Sequence, residues 1–310
     1  MPEEYRNLIR VWIGPVPVIG SSNPEIVQEL LTNEHVLEKG YLLKLIWNPV
    51  MGKSIFTSEA RLLNPIKLPS ILYRFTRDYK MVSRSRDVTH EFTKKIISEK
   101  RKKHLHNETN VLILAGYETT ALSLSFVLLH LAVYKDIQRK LYNEIIEVVG
   151  DTNVHSMNVD DLPKLKYMDM VLKESLRLTP TVPIISREAS QDIKIGNYTI
   201  PKGANILIPI INIHRNPEYW ENPLKFDPER FSPENIQNRH PYAYMPFSAG
   251  PRNCFGRRYA WIFMKTTLVA LLSRYEFHTD INLDTLQFEA GITLRLVNGH
   301  QVRITPRYNS

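Results

Sequence analysis

The 310-residue sequence contains a single cysteine, Cys254. A chain with one thiol cannot build an internal disulfide framework, so a reducing, intracellular setting is the expectation. Long apolar runs are missing too. No 18 consecutive residues are uninterrupted by a polar one, and nothing in this chain is expected to span a bilayer. The opening residues, Met1-Pro2-Glu3-Glu4-Tyr5-Arg6-Asn7, do not form a signal peptide. The apolar run from Val11 to Gly20 is short and broken by Pro15 and Pro17, which suits a first strand better than an anchor. Nothing in the composition suggests disorder, since 43% of the residues are hydrophobic and 23% charged. Acidic balance is absent as well: the formal charge is +8 and the pI near 9.4, so a nucleic acid, an anionic membrane or an acidic protein would all suit. No aromatic residues interleave the basic run Lys100-Arg101-Lys102-Lys103, which argues against nucleic acid and reads as a solvated helix end. His104 and His106 have no third ligand nearby and are read as exposed.

What is present concentrates around that one thiol. Phe247-Ser248-Ala249-Gly250-Pro251-Arg252-Asn253-Cys254-Phe255-Gly256 reads as a metal-ligand loop. A ligating cysteine must be a thiolate, and a Gly/Pro-rich turn opening a helix offers unpaired backbone N–H groups that stabilise the negative sulfur. Arg252 can bind an anionic group on whatever carries the metal, and Gly256 removes a side chain where a flat cofactor would press. At average frequencies this spacing around a given Cys has odds of about one in a hundred thousand. The alternative is a buried structural cysteine.

Along the chain, residues 8–20 read as a strand and turn, and Asn23-Pro24-Glu25 opens a helix with Ile26, Val27, Leu30 and Leu31 on one face. A helix is expected from Pro69 to Lys103. Residues 110–133 form the most apolar helix, read as a buried central one. Glu118 and Thr119 are out of place in such a helix, because a buried carboxyl and hydroxyl need partners. With Gly116 one turn earlier they read as a site. An amphipathic helix follows from Lys135 to Val149, stopped by Gly150-Asp151, and a second from Pro163 to Leu178, ended by Pro180. The second contains Glu174 and Arg177, three apart on one face. Ile193 to Ile200 alternates around Gly196-Asn197 and predicts a hairpin, and 204–213 an apolar strand. Arg257 to Tyr275 is expected to be helical, and 290–305 a hairpin around Asn298-Gly299.

Three motifs, spread over four stretches of the chain, carry a resemblance. The Cys loop is similar, without a mismatch, to the haem-binding motif of cytochrome P450, Phe-x-x-Gly-x-Arg-x-Cys-x-Gly. Ala115-Gly116-Tyr117-Glu118-Thr119-Thr120 resembles that family's central-helix segment, and Lys173-Glu174-Ser175-Leu176-Arg177 with Phe226-Asp227-Pro228-Glu229-Arg230-Phe231 resembles its Glu-x-x-Arg and Pro-Glu-Arg-Phe pair. The likeness is to the family-4 microsomal type. It implies a mainly α fold with a small β region, an incomplete P450 fold, with 1–103 a shortened N-terminal portion and 104–310 the haem-binding core. It further implies haem b ligated by Cys254, with Phe247, Gly250, Arg252, Gly256 and Arg187 as cofactor-binding residues, Arg187 and Arg252 for the propionates. Glu118 and Thr119 would be catalytic, delivering protons, and Glu174, Arg177 and Arg230 a buried ionic network. Thr181 to Ile185 and Ala290 to Thr293 would line the pocket.

The implied activity is a haem-thiolate monooxygenase that inserts one atom of O2 into an apolar, fatty-acid-like substrate. The implied partner is NADPH-cytochrome P450 reductase, docking near Arg257 and Arg258, and the implied location the cytoplasmic face of the endoplasmic reticulum membrane. Several of the family's parts are not found: the N-terminal membrane helix, and the Trp-x-x-x-Arg helix, since Trp47 and Trp261 lack Arg four residues on. A shortened member is therefore expected. A covalent haem link is not, because Ala115 stands where a Glu would be needed. The second reading is a catalytically inactive, family-derived fragment acting through protein contacts. Haem incorporation separates the two.

Overall fold

The computed structural model describes residues 8–13, 16–40, 103–150 and 159–307. The expected helix from Pro69, the basic run up to Lys102, Trp47 and the side chains of His104 and His106 lie outside these residues. The chain divides into two compact units, one comprising Met1–Glu118, Ile184–Pro209 and Gly250–Arg252, the other Thr119–Pro183, Ile210–Ala249 and Asn253–Ser310.

The first unit is built on a four-stranded sheet. Strands β1 (Ile9–Ile13) and β2 (Val16–Gly20) form an antiparallel hairpin. β2 then pairs in parallel with β6 (Asn205–Ile208), which pairs antiparallel with β3 (Ile185–Glu188). Between β3 and β6 the expected hairpin forms from β4 (Ile193–Ile195) and β5 (Tyr198–Ile200), turning at Gly196 with φ of 53°. Helix α1 (Pro24–Thr32) starts where the sequence placed it. Asn23 Oδ1 accepts the Ile26 N–H at 3.0 Å, and Val27, Leu30 and Leu31 are buried. The expected apolar strand over 204–213 is shorter than predicted. It stops at Ile208, because Pro209 has no N–H for a ladder, and Ile210–His214 turn into a short helix.

The central helix α2 (Lys103–Val133) runs through 31 residues. Its burial is not uniform, which corrects the reading of a helix enclosed all round. Phe126, Val127, Leu129 and Leu131 are fully buried, whereas Leu112 is 52% and Tyr117 73% exposed. By length and composition Leu112–Val133 could cross a membrane, with a mean hydropathy of 1.6 over 22 residues. The expectation that nothing in this chain could span a bilayer is thus not met on length and composition, a test that the core helix of a soluble protein also passes, while the absence of an uninterrupted run of 18 apolar residues stands.

In the second unit, α3 (Lys135–Val149) and α4 (Lys166–Leu178) pack around Leu141, Ile145, Met168, Val171 and Leu172, all wholly buried. Each such side chain contributes about 1.5–3 kcal/mol by leaving water. The predicted helix from Pro163 breaks in two. Val159–Lys164 form a 3₁₀ turn, and α4 restarts after Leu165 because the Glu144 carboxylate of α3 accepts the Tyr167 and Met168 N–H groups at 2.6 and 2.9 Å. After Ile210–His214 (α5) come a short helix α6 (Pro233–Ile236) and then α7 (Arg257–Leu272), shorter than expected because β7 begins at Tyr275.

The C-terminal hairpin also needs correction. β9 (Leu294–Leu296) pairs with β8 (Phe288–Ala290), and β10 (Arg303–Pro306) pairs with β7 (Tyr275–His278). The turn at Gly299 exists, with φ of 72° and its N–H on Leu296 O at 3.1 Å. Alternation marks strands but does not choose their partners.

Candidate functional site

The Cys254 loop is shaped by its backbone. Ser248 and Gly250 both have positive φ, 60° and 72°. A Cβ on Gly250 would lie 2.2 Å from Leu31 O in the first unit, so this position needs glycine for conformation and for space. Gly250→Ala is expected to lower stability by more than about 2 kcal/mol, read as a fall in the urea midpoint. A change within about 0.5 kcal/mol would show that the close approach is not maintained in solution.

In the second unit the loop closes on itself, the Cys254 N–H donating to Phe247 O at 2.9 Å. Cys254 is exposed, and Gly256, the residue that caps α7, follows two positions later. The sulfur thus precedes a helix N-terminus, whose first N–H groups have no intrahelical acceptor. Gly256 has an ordinary backbone (φ −79°), and a Cβ there would meet only the Cys254 Sγ, at 3.8 Å. Neither strain nor crowding within the protein requires a glycine there.

Three cations gather in the first unit. Arg187, on β3, is 4% exposed, donates to Ser186 O at 2.9 Å and reaches Arg252 O at 3.4 Å. Lys39 belongs to the same group and was not anticipated from the sequence. Its neighbours hold it there: Glu188 N–H donates to Glu38 O at 2.8 Å, and a Cβ on Gly40 would sit 2.0 Å from Ser186 Oγ. Burial, then repulsion from Arg187 and Arg252, lowers the Lys39 ammonium to about 8. Burial and Arg252 lower Arg187 to about 10. A cluster that raises its own electrostatic cost in this way suits an anion of more than one charge.

Glu118 and Thr119 are successive half-buried residues of α2, Glu118 ending the first unit's share of the helix and Thr119 opening the second's. A Cβ on Gly116 would meet nothing within 4 Å. One turn beyond Thr119, Ser123 donates to Thr119 O at 2.8 Å and lies 2.6 Å from Thr181 Oγ1, while Thr181 O accepts the Leu294 N–H at 2.9 Å. These bonds join the helix to one segment expected to line a pocket, Thr181 to Ile185, and join that segment to Leu294, one residue past the other.

Glu174, Arg177 and Arg230 are brought together in the second unit. Arg177 clasps Glu174 through two bonds, Nε to Oε2 at 2.6 Å and Nη2 to Oε1 at 2.8 Å, and both side chains are completely buried. Nη1 donates to His214 O and Pro223 O at 2.9 and 2.7 Å, and Asp227 N–H donates to Glu174 Oε1 at 2.8 Å. Burial raises the Glu174 carboxyl, with Arg177, the Asp227 N–H and Arg230 pulling the other way. Arg230 is the weakest member. Its Nε lies 3.5 Å from Glu174 Oε1 without hydrogen-bond geometry, and Nη2 instead donates to Asn222 O at 2.9 Å.

The residues present fit a haem on their own chemistry: one exposed sulfur ahead of a helix terminus, and a cation cluster suited to paired carboxylates. Among the described residues no group of three His, Cys, Asp or Glu could hold a metal ion, so a protein ligand set of that kind does not compete.

Comparison with known proteins gives the same direction. Residues 101–297 match the family model described as Cytochrome P450. The chain is 43% identical over 201 residues to Probable cytochrome P450 4p3 of Drosophila melanogaster, 64% of this chain and 39% of that protein. It is 38% identical over 224 residues to Cytochrome P450 4g1 of the same species, 71% and 40% of the two chains, and 38% over 204 residues to Cytochrome P450 4V2 of Mus musculus, 66% and 39%. The matches thus span about 40% of these relatives' length.

Proposed function

Because the chain belongs to the cytochrome P450 family, we propose that it is a haem-thiolate monooxygenase and that Cys254 is the iron ligand. The observation that carries this is the Cys254 loop itself, an exposed sulfur two residues ahead of the cap of α7 in a turn that Gly250 alone can make. Haem, when bound, supplies reductive activation of O2, so that two electrons and two protons deliver one oxygen atom to a C–H bond and release the other as water.

The chain's own residues have separate tasks. Cys254, two residues ahead of the cap of α7, would offer its sulfur to the iron. Arg252, Arg187 and Lys39 neutralise the carboxylates of the cofactor, and Gly256 leaves room beside the sulfur. Thr119 and Glu118 hold water and pass protons along α2. The bond from Ser123 to Thr181 fixes the turn that follows Thr119 against its neighbours. Glu174, Arg177 and Arg230 hold segments of the second unit in place and take no part in the chemistry. The substrate class is apolar and fatty-acid-like, and the electron donor a flavoprotein reductase meeting the exposed Arg257 and Arg258. The location is the cytoplasmic face of the endoplasmic reticulum membrane. These three rest on the family-4 likeness.

The exposure of Leu112 and Tyr117 on the site-bearing half of α2 favours the second reading, a silent chain, since a haem needs walls that exclude water. The carbon-monoxide difference spectrum of the reduced protein decides. A red-shifted Soret band that disappears in Cys254→Ala is the expected result. Absence of any haem band would remove the monooxygenase reading and leave the silent chain.

A further inference from the structure

Behind the Cys254 loop lies a chain of contacts within the second unit that runs from the haem-loop motif to Trp261, Asp169 and Lys265, which belong to none of the family motifs. Trp261, on the first turns of α7, donates its indole N–H to Asp169 Oδ1 on α4 at 2.7 Å. The same oxygen is 2.8 Å from the ammonium of Lys265, which is 3% exposed and also donates to Leu162 O at 2.6 Å. The indole meets the Phe247 ring edge to face, with centroids 6.1 Å apart and planes at 67°. The Phe247 carbonyl in turn accepts the Cys254 N–H at 2.9 Å.

We propose that Trp261, held by Asp169, is a positioning residue for the cysteine loop: it fixes Phe247, and through the Phe247 carbonyl it fixes the backbone of Cys254. The physical case is the asymmetry of its two sides. Toward the core the indole is anchored by a charge-assisted bond to a carboxylate that a buried lysine already immobilises, so its orientation is determined before the loop contributes anything. Toward the loop it offers a rigid aromatic face at the geometry that aromatic pairs favour. Phe247 and Cys254 sit at opposite ends of a turn whose backbone is left-handed at two positions, and such a turn keeps its shape only when its surroundings over-determine it. This role rests on the reading of Cys254 as a ligand, but the holding of the loop can be measured without haem.

The test is amide hydrogen exchange on the full chain prepared without haem, followed at the Cys254 amide by NMR, in Trp261→Phe and in the double variant Asp169→Asn/Lys265→Met. Trp261→Phe keeps an aromatic ring and the Asp169 to Lys265 pair, and loses only the indole donor and its reach. The Cys254 amide is expected to exchange about tenfold faster, the scale of one bond to a charged acceptor, while core amides of α4 and α7 keep their wild-type rates. The double variant removes both charges and the immobilising lysine yet leaves an amide oxygen to accept the indole N–H, and is expected to raise the Cys254 rate by less than Trp261→Phe does; a rise as large as or larger than that of Trp261→Phe would overturn the role given to the indole donor.

An unchanged Cys254 rate in Trp261→Phe, or a uniform acceleration across α4 and α7, overturns the proposal. With haem loaded, Trp261→Phe is further expected to move part of the reduced carbon-monoxide band from the thiolate to the thiol position. If the wild-type protein gives no thiolate band at all, the ligand reading fails while the exchange result still decides whether Trp261 holds the loop.

Discussion

Arg177→Ala is expected to cost about 3–5 kcal/mol of stability, close to the whole reserve of an ordinary domain. The magnitude follows from what the guanidinium leaves behind. Glu174 would remain fully buried with one N–H donor, from Asp227, in place of a bidentate cation. The carbonyls of His214, Pro223 and Lys225 would lose their donor, and the face of Trp220, over which Arg177 lies at 5.0 Å, its cation. Arg177→Lys is expected to lose most of the same energy, because a single ammonium cannot reproduce the fork. Arg230→Ala is expected to cost only about 1 kcal/mol, since its contact with Glu174 is long and lacks hydrogen-bond geometry. Urea unfolding of the three variants checks the order. Equal losses for Arg177→Ala and Arg230→Ala would mean that the three residues share the load evenly, contrary to the geometry.

Acid is expected to destabilise the second unit through two buried histidines. His130 and His214 are completely buried, and burial, followed by the charge of Arg177, lowers each to about 3. The geometry agrees for His214, whose Nε2 accepts the Met245 N–H at 2.9 Å, so that a proton placed on that nitrogen would face another N–H. His130 stacks on Phe226 at 4.6 Å with Nδ1 3.0 Å from Ser175 Oγ. Both groups are neutral in either state above the unfolded value near 6.5, so stability is complete there. As pH falls below 6.5 the unfolded chain takes up protons first, and stability is lost progressively down to about 3. At pH 5 the linkage amounts to about 2 kcal/mol per histidine, about 4 together. The Glu174 carboxyl, raised by burial, acts in the opposite sense but is one group against two. Urea midpoints at pH 7.5 and 5 measure the loss, and His214→Gln is expected to halve the pH dependence. Midpoints that do not move would mean the imidazoles are reached by water.

The parts of the site that sequence reveals are those whose geometry is local. The left-handed backbone at Gly250, the cap at Gly256 and the three-residue spacing of Glu174 and Arg177 are each determined within a few residues, so their residue types can be recognised in order. Lys39 shows the opposite case. It reaches Arg187 because Glu38 bridges to Glu188 and Gly40 packs on Ser186, contacts about 150 residues apart along the chain, and nothing around Lys39 marks them. Trp261 stands out in the sequence only for lacking an Arg four residues on, and its contact is supplied by Asp169 on another helix. The same distinction explains the two strand errors. Pro209 ends β6 by a rule that applies to one residue, and could have been read. The exchange of partners among β7, β8, β9 and β10 depends on pairing across the chain, which alternation does not encode. The uneven burial of α2 belongs to the same class, since an apolar composition sets what a helix could bury and its neighbours decide what it does.

The lone exposed thiol has a consequence for handling and for ageing of the protein. Every oxidative event at sulfur other than methionine falls on Cys254. With no second cysteine in the chain to resolve it, a sulfenic acid formed there can be rescued only by an external thiol or by the sulfur of another molecule. Storage without reductant is therefore expected to accumulate disulfide-linked pairs and sulfinic acid at this one position, and each such event removes the proposed iron ligand outright, making oxidation all-or-none in each molecule.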